Sequence, residues 1–404
     1  MKSNTTASVA YHYHWPIFKS RDAYYVESLW ATWVNYLSKY VNLTLYAYID
    51  ESSSLPTSYT VLDTNIRIAS IGPKATKLWK RHLSFILHIH SIRRYHYDFL
   101  YIEYPTPLSL NLLVLCRYAR PVIFLAGDMV QCLRLHNHNK LLLWLSLFSK
   151  NIFLFLFKLR NGIALGENMR SSPGASLPYD FFPQLKRQTP LFMSTYTYQE
   201  CNSRIIHDTS SISSKTLKIL TINRLSPELG VTQLVPIIAE LARNRVDFKW
   251  ILVGSGPLQA SLQTELESRQ LADHLISCGW LGHEMIDRLI RDKRPQLYVE
   301  LPCLVSGGPA RSAWEAMSYG IPCVLSPFSY KDYLLDTQHC IYSSSMNSAE
   351  FAYAIKRYNL LSAEQKYAMS TKVHAMARAR SLDNEMKCLS QILAISEEEQ
   401  TLPL

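Results

Sequence analysis

The sequence predicts an α/β protein built from two domains, each with a doubly wound parallel sheet. Three observations lead to this prediction. The chain has 404 residues, which is enough for two domains with separate cores. Short apolar runs alternate with amphipathic helical segments, an order typical of parallel strands joined by helices. Gln, Thr and Ser accumulate between residues 184 and 215, which indicates a connection between the domains.

These observations divide the chain into four parts. We predict an N-terminal domain in residues 1–190, a linker in 191–215, a C-terminal domain in 216–380, and a C-terminal helix and tail in 381–404. Hydrophobic residues make up 48% of the chain and charged residues 18%. This composition argues against extended disorder, because it supplies enough apolar surface to form cores.

The first domain opens with a predicted strand at residues 7–13 and a predicted helix at 22–40, in which apolar residues recur at helical spacing. Between them we predict a basic surface loop without glycine. Alternatively, four side chains in or beside this loop act as hydrogen-bond donors in place of the backbone donors of a glycine-rich loop: His12, His14, Lys19 and Arg21. Further strands are predicted at residues 43–49, 65–71, 98–103, 121–126 and 163–166.

Two segments of the first domain are compatible with contact to a membrane. Residues 74–95 are predicted to form a helix whose polar side is basic, which suits either an anionic membrane or water. Residues 141–157 are the most apolar segment of the chain. With Ser149, Lys150 and Asn151 in its middle, this segment suits a buried helix or one in the membrane interface better than a span.

The net charge of +10 is unevenly distributed. Residues 1–200 contain 21 Lys plus Arg against 11 Asp plus Glu, and the remainder contains 21 against 21. Together with 25 tyrosines and eight tryptophans, this excess predicts that the first domain meets an anionic partner, such as a phospholipid surface or a pyrophosphate-linked acceptor. The sequence contains no nucleic-acid-binding motif, so nucleic acid is not a predicted partner.

The eight cysteines include no C-x-x-C pair, which is typical of reduced cysteines in a cytoplasmic protein rather than of disulfides or a zinc site. The N-terminal residues lack the continuous apolar core of a signal peptide. We therefore expect a cytoplasmic protein, with the inner face of the cell membrane as the alternative location. We predict no metal and no cofactor.

The second domain shows the same alternation of strands and helices. Predicted strands lie at residues 216–223, 247–254, 276–281, 296–301, 322–325 and 340–342. Predicted helices lie at residues 231–244, 284–291, 310–319, 348–358, 363–378 and 382–394. The turn G-S-G-P that begins at Gly254 lacks the third glycine and the following acid of a dinucleotide fingerprint, so a nicotinamide-dependent oxidoreductase is not expected.

One stretch of the second domain combines the strongest local signals in the chain. Gly307, Gly308 and Pro309 predict a turn into a helix, with Pro309 in the first turn and free backbone amides that can bind an anion. Gly320 suits the end of that helix. Inside the helix, the carboxylate of Glu315 can accept two hydrogen bonds from a diol such as a ribose; the alternative is a solvated glutamate.

The string E-A-M-x-x-G-x-P, which begins at Glu315 and ends at Pro322, resembles the signature of the family 4 retaining glycosyltransferases of GT-B fold. The resemblance implies two Rossmann-like domains that face a cleft. It also implies transfer of a sugar, with retention, from a nucleotide-diphosphate donor to a hydroxyl of a carbohydrate or lipid-linked acceptor. In the family the matching glutamate binds the donor ribose and is the second of an E-x7-E pair. The first falls at position 307, where this chain has glycine.

The resemblance extends to further positions. Arg224 matches a cation that holds the donor diphosphate, but Leu229 stands where the family has a second cation, a lysine. Gly254 belongs to a turn that matches the family's V-G-x-G-P. Gly282 and His283 match the loop beside the donor base.

Two further positions are hypotheses. Arg311 lies in the first turn of the central helix, where a cation opposes the helix dipole unless an anion is bound. It therefore replaces the missing lysine or, alternatively, points into solvent. Gly127 stands where the family has a histidine near the reacting sugar, and the next residue, Asp128, either faces the acceptor or caps a helix.

The predicted catalytic residues are Asp128, Arg224 and Glu315. The predicted donor-binding residues are Arg224, Gly254, Gly282, His283, Gly307, Gly308, Pro309, Ala310, Arg311 and Glu315. We expect a role in polysaccharide, lipopolysaccharide or glycolipid assembly. The departures at Gly127, Leu229 and Gly307 suggest the alternative of a catalytically impaired homologue that serves as a scaffold or membrane-associated partner.

Overall fold

The computed structural model describes residues 6–51, 55, 59–73, 96–104, 106, 109–115, 118–125, 140–165, 187–189, 194–204, 216–302, 309–326 and 338–399. The chain divides into two compact units. Unit 1 consists of Met1–Glu167, Gln184–Thr195 and Leu382–Leu404, and unit 2 of Asn168–Pro183 and Tyr196–Ser381. The last helix of the chain therefore belongs to unit 1, and residues 196–204 of the predicted linker belong to unit 2.

The described helices alternate with the strands along most of the chain. In chain order they are α1 (Ser28–Leu37), α2 (Ser109–Leu115), α3 (Lys140–Leu159), α4 (Tyr198–Ser203), α5 (Leu234–Arg243), α6 (Gln259–Ser268), α7 (His283–Lys293), α8 (Arg311–Ser318), α9 (Ser348–Asn359), α10 (Ala363–Ala379) and α11 (Leu382–Glu399). Short 3₁₀ turns lie at Pro227–Leu229, Val231–Gln233 and Ala272–His274.

Unit 1 is built on one mixed sheet. Its described strands are β1 (Ser8–His12), β2 (Ile17–Ser20), β3 (Ala23–Glu27), β4 (Asn42–Asp50), β5 (Tyr59–Val61), β6 (Arg67–Pro73), β7 (Phe99–Tyr104), β8 (Arg120–Leu125), β9 (Ile163–Leu165) and β10 (Arg187–Thr189). Their order is β10-β9-β8-β7-β1-β4-β2-β3-β5, with β6 paired to β4. The β2–β3 and β3–β5 pairs are antiparallel, and the other described pairs are parallel.

The core of unit 1 lies around the central strands. All six residues of β7 are buried, as expected for a parallel strand covered on both faces. The last helix, α11, contributes four buried residues at helical spacing to the same core: Leu382, Met386, Leu389 and Leu393. This packing explains why the end of the chain belongs to the unit that contains its beginning.

The predicted loop before residue 22 and the predicted helix at 22–40 were partly wrong. Ile17–Ser20 and Ala23–Glu27 form an antiparallel hairpin, and α1 begins only at Ser28. The two-residue turn of the hairpin holds Arg21 at φ 53°, a backbone conformation typical of tight hairpins. The segment A-Y-Y-V-E is rich in residues that suit strands, and pairing with its neighbours decides its conformation.

Unit 2 contains a parallel sheet of six described strands. They are β11 (Leu217–Ile222), β12 (Phe248–Val253), β13 (Leu275–Ser277), β14 (Leu297–Val299), β15 (Cys323–Leu325) and β16 (Cys340–Tyr342). Their order is β13-β12-β11-β14-β15-β16, so the sheet is wound outward in both directions from β11. The predicted α/β fold is thus confirmed: the sheet of unit 2 is parallel, and that of unit 1 is parallel apart from the β2–β3 and β3–β5 pairs.

Two predicted helices of the first domain have different outcomes. The basic helix predicted at residues 74–95 lies outside the described residues. The apolar segment 141–157 does form a helix, α3, but most of its first half is exposed. Of its residues, Phe153, Leu154 and Phe157 are buried, so the alternative of a buried helix was wrong.

Candidate functional site

Glu315 lies in a short helix of unit 2 whose C-terminus is capped by backbone hydrogen bonds. Helix α8 follows β14 and ends in a motif in which the amide of Gly320 donates to Met317 O at 2.9 Å and that of Ile321 donates to Ala316 O at 3.2 Å. Gly320 has φ 70°, the left-handed conformation that this motif requires. The predicted helix end at Gly320 therefore has the expected geometry.

Helix α8 begins one residue later than predicted. Ala310 is the N-cap and Arg311 the first helical residue, so Pro309 precedes the helix rather than lying in its first turn. Ala310 has no polar side chain to cap the helix, and its own amide donates to Glu300 Oε2 at 3.4 Å. The first amides of α8 are thus not capped by the N-cap side chain, the arrangement that suits an anionic ligand.

Glu315 pairs with His283. The two atoms His283 Nδ1 and Glu315 Oε1 are 2.9 Å apart, and the glutamate side chain is 9% exposed while that of the histidine is 38% exposed. His283 is the first residue of α7, which Gly282 precedes as N-cap. The hydrogen bond to Glu315 raises the pKa of His283 above its ordinary value, against the opposing effect of burial. The structure therefore brings two predicted site residues together.

A second set of contacts holds the other end of α8. The Arg204 guanidinium donates to Ser318 Oγ and lies over the Tyr319 ring, 4.2 Å from its centroid. The Tyr319 hydroxyl donates to Asp287 Oδ1 at 2.5 Å. A cation at a helix C-terminus complements the helix dipole, so Arg204 stabilises α8 from the end opposite the candidate ligand.

Arg204 was not predicted from the sequence. It lies in the stretch assigned to the linker, yet it is 6% exposed within unit 2. Arg204 stacks on an aromatic ring and donates a hydrogen bond to the end of a helix. No local sequence motif predicts this structural role. Thr197 and Glu200 form the capping box of α4, and this sequence signal could have predicted a helix within the assigned linker.

The loops after β11 and β12 are packed backbone to backbone. Gly254 has φ 138°, and a Cβ placed there would lie 1.8 Å from Asn223 O. Its amide also donates to Gly279 O at 2.7 Å. Gly279 lies in the loop after β13, and the loops after β11, β12 and β13 leave the sheet at the same edge, because they follow the carboxyl ends of neighbouring parallel strands. Gly254 is therefore required for packing of this edge.

The remaining predicted residues keep their status as predictions. Arg224 follows β11, is exposed, and directs Nε toward Ser226 Oγ at 3.4 Å. Arg311 is also exposed, at the start of α8. Gly282 has φ −70°, so it needs no special backbone conformation. Asp128, Gly307 and Gly308 lie outside the described residues.

Unit 1 contains a second glutamate–histidine pair that the sequence did not reveal. His14 Nδ1 lies 3.3 Å from Glu103 Oε2, and the Tyr11 hydroxyl donates to Glu103 Oε1. His14 follows β1 and Glu103 is near the end of β7, two neighbouring strands. His12, two residues earlier, is buried, which lowers its pKa to about 3.

Comparison with known proteins agrees with this architecture. Residues 202–370 match the family described as "Glycosyl transferases group 1". Among solved structures, Anabaena Alr3699/HepE in complex with UDP is similar over 96% of this chain and 99% of its own, with 13% identity and a TM-score of 0.63. The fold is that of a GT-B glycosyltransferase. This result confirms the predicted fold class.

Two further GT-B structures are similar over nearly the whole chain. WaaG, a glycosyltransferase involved in lipopolysaccharide biosynthesis, has 13% identity and a TM-score of 0.60, with 95% of this chain and 99% of that chain covered. WaaB, a lipopolysaccharide outer core galactosyltransferase, has 12% identity and a TM-score of 0.58, with 96% and 99% covered. At these identities the likeness concerns the fold.

One curated relative matches a short region. The alpha-D-kanosaminyltransferase of Streptomyces kanamyceticus is 31% identical over 72 residues, which cover 18% of this chain and 19% of that enzyme. The chain thus aligns with about a fifth of this relative. Together with the family match in residues 202–370, it supports a GT-B glycosyltransferase.

Proposed function

We propose that this protein transfers a sugar from a nucleotide-diphosphate donor to an acceptor hydroxyl with retention of configuration. The observation that supports the proposal most directly is the pair of Glu315 with His283, within a region that matches the group 1 glycosyl transferases. The structures of Anabaena HepE were obtained with UDP and with UDP-glucose. A uridine nucleotide is therefore the first donor to test.

In this proposal, Glu315 accepts hydrogen bonds from the hydroxyls of the donor ribose. His283 holds Oε1 of the carboxylate and so fixes its orientation, while Oε2 remains for the ligand. A carboxylate that is largely removed from water binds a hydroxyl donor more strongly than a solvated one, because competition from water is reduced. His283 is then a positioning residue, which acts on the donor through Glu315.

The leaving group is a nucleoside diphosphate, on which negative charge grows as the sugar departs. Arg224, Arg311 and the first amides of α8 are the groups proposed to stabilise that charge. Both arginines are exposed, so their side chains are accessible to a ligand. Asp128 remains the proposed residue on the acceptor side.

The proposed acceptor is a carbohydrate or a lipid-linked saccharide, and the proposed pathway is polysaccharide, lipopolysaccharide or glycolipid assembly. WaaG and WaaB, which share the fold, are described as lipopolysaccharide enzymes. We propose a cytoplasmic location at the inner face of the membrane. The uneven charge of the chain supports contact with an anionic surface.

The ribose assignment can be tested by calorimetry with UDP and 2′,3′-dideoxy-UDP. The wild-type chain should bind UDP about 10- to 100-fold more tightly, because the diol donates to a charged acceptor. Glu315→Gln should remove most of this difference, whereas Glu267→Gln, an exposed glutamate on α6, should leave it unchanged. A difference that survives in Glu315→Gln would show that the ribose role is wrong.

Transfer itself needs a separate measurement. Incubation with nucleotide sugars and NMR of the product should show an anomeric configuration equal to that of the donor. An inverted product would contradict retention. Tight UDP binding without turnover of any donor would favour the second candidate, an impaired homologue, which the leucine at position 229 supports. In that case Leu229→Lys should strengthen binding of the diphosphate.

A further inference from the structure

Helix α3 of unit 1 presents an exposed apolar face. We call this face the apolar stripe; its residues are Leu141, Trp144, Leu145, Phe148, Phe155 and Leu159, each between 46% and 69% exposed. Their i+3 and i+4 spacing, with the partly exposed Ile152 between Phe148 and Phe155, places them along one side of an α-helix. At the rise of an α-helix, the stripe is about 27 Å long.

The opposite side of α3 is fixed to unit 1. Phe153, Leu154 and Phe157 are buried, and the Phe153 ring lies 4.5 Å from that of Tyr104. Just after the helix, the Arg160 guanidinium donates to Leu113 O at 2.7 Å. By length and composition alone α3 is apolar enough to cross a membrane. Because one side packs on the protein, the helix is suited to lie on a membrane rather than to span it.

The charged residues of α3 itself are all positive. Residues 140–160 contain Lys140, Lys150, Lys158 and Arg160, and neither Asp nor Glu. Lys140 and Lys158 are exposed, one near each end of the stripe. Lysines at such positions can extend their ammonium groups toward anionic headgroups while their aliphatic parts remain beside the apolar phase.

The aromatic residues fit the same environment. The exposed rings of Trp144 and Phe148 are stacked, with centroids 5.7 Å apart and planes 7° apart. Together they form a rigid apolar projection in the first half of α3. Tryptophan favours the boundary between headgroups and acyl chains, where its ring is partly in the apolar phase and its N–H can find a polar partner.

A second copy of the chain is a less suitable occupant. Two stripes packed parallel would place Lys140 near Lys140 of the other chain, and two packed antiparallel would place Lys140 near Lys158. Like charges would therefore meet in either arrangement. An anionic bilayer accommodates the stripe and neutralises the lysines at the same time.

We propose that α3 is an interfacial membrane-binding helix, whose apolar stripe inserts at the headgroup–acyl boundary of a bilayer that contains anionic lipid. The inference specifies the surface behind the proposed membrane location, but it does not depend on sugar transfer, because lipid binding requires neither donor nor nucleotide. If sugar transfer also holds, a helix held at the bilayer favours a lipid-linked acceptor.

The test is flotation of the full chain with vesicles of phosphatidylcholine, with and without phosphatidylglycerol. The wild-type chain should float with the anionic vesicles, and Trp144→Ser/Phe148→Ser should lower the partition coefficient by at least about tenfold. Tyr353→Ser/Leu360→Ser removes two exposed apolar side chains of unit 2 and should have no effect. Lys140→Gln/Lys158→Gln should weaken binding about tenfold or more at low salt and less at high salt.

Three results would overturn the proposal: no flotation of the wild-type chain, equal flotation of the stripe variant, or a wild-type dimer in sedimentation velocity that the stripe variant dissociates. Circular dichroism would establish whether the stripe variant is folded; if it is not, the lysine variant alone decides. UDP affinity, measured in parallel, reports on unit 2. Loss of vesicle binding with retained UDP binding would therefore separate failure of this inference from failure of the proposed function.

Discussion

The two units use the same pair of residue types in different ways. In unit 1, both carboxylate oxygens of Glu103 have partners within the protein, the Tyr11 hydroxyl and His14 Nδ1. In unit 2, among the described residues, His283 is the side chain paired with Glu315, and it contacts Oε1. Side chains thus contact both oxygens of Glu103, whereas the contact of His283 with Glu315 involves one oxygen. A buried glutamate beside a histidine is by itself no sign of a binding site; what distinguishes the two is the remaining hydrogen-bonding capacity.

The edges that carry these pairs also differ. In unit 2 the loops after β11, β12 and β13 contact one another through the backbone at Asn223, Gly254 and Gly279. In unit 1 the described packing beside Glu103 is between aromatic side chains, with the Tyr11 ring centroid 5.0 Å from that of Tyr101 and 5.9 Å from that of Trp33. Backbone contacts therefore join these loops of unit 2, whereas aromatic rings pack beside Glu103 in unit 1.

The largest expected effect comes from the backbone of unit 2. Gly254→Ala should destabilise this unit by about 3–5 kcal/mol, because alanine is strained at φ 138° and its Cβ would meet Asn223 O. Gly282→Ala is the matched control, since Gly282 has φ −70° and open space around a Cβ. Hydrogen exchange at increasing urea concentrations would measure the free energy of unfolding of each unit separately. Equal destabilisation by the two variants would show that the edge is not closely packed.

The glutamates themselves give the next largest difference. Glu103→Ala should cost about 2–3 kcal/mol, because the buried Tyr11 hydroxyl would lose its acceptor. Glu315→Ala should change stability by less than about 1 kcal/mol, since alanine favours the helix and the cost of burying a carboxylate disappears. Urea unfolding would measure the free energies.

Ligand binding should give the opposite order. UDP affinity should fall in Glu315→Ala and remain unchanged in Glu103→Ala, as measured by calorimetry. If Glu103→Ala instead weakened UDP binding with little loss of stability, the contrast between an internally satisfied pair and a ligand-ready pair would be wrong.

The sequence predicted unit 2 better than unit 1 because its signals are local. Gly320 ends α8 where the pattern of Gly and Pro placed the end, and Gly254 follows β12 as its turn predicted. The contact between His283 and Glu315 could not be read from spacing, because the two residues lie on different helices. The family resemblance selected both residues without indicating that they touch.

In unit 1 the decisive interactions are long-range. Tyr24 and Tyr25 satisfy a helical pattern as well as a strand, and only pairing with β2 and β5 fixes them in a hairpin. The sequence predicts a strand that ends at Glu103, but nothing in it indicates that His14, at the end of a neighbouring strand, contacts this glutamate. Arg204 in unit 2 was missed for a similar reason, since its partner Tyr319 is distant in sequence.

The smallest expected effect is the pH dependence of the stabilisation that the His283–Glu315 pair gives to the folded state. The hydrogen bond to Glu315 raises the pKa of His283 above its ordinary value of 6.5, so the folded state holds this proton more tightly than the unfolded state. The stabilisation is therefore fully present below the unfolded pKa and is lost as pH rises through the raised folded pKa. Because the His283 side chain is 38% exposed, solvent screening should keep the change below about 1 kcal/mol.

This dependence can be measured as the difference in unfolding free energy between the wild-type chain and His283→Asn, from about pH 6 to about pH 9. The difference should shrink as pH rises, because neutral histidine no longer forms a charged pair with Glu315. His274→Asn is a control in the same unit. The His274 ring stacks on that of Phe248, with the ring centroids 4.6 Å apart. Parallel curves for the wild-type chain and His283→Asn would mean that the pair does not form in solution, and Glu315 would then lack the partner that orients it toward a donor.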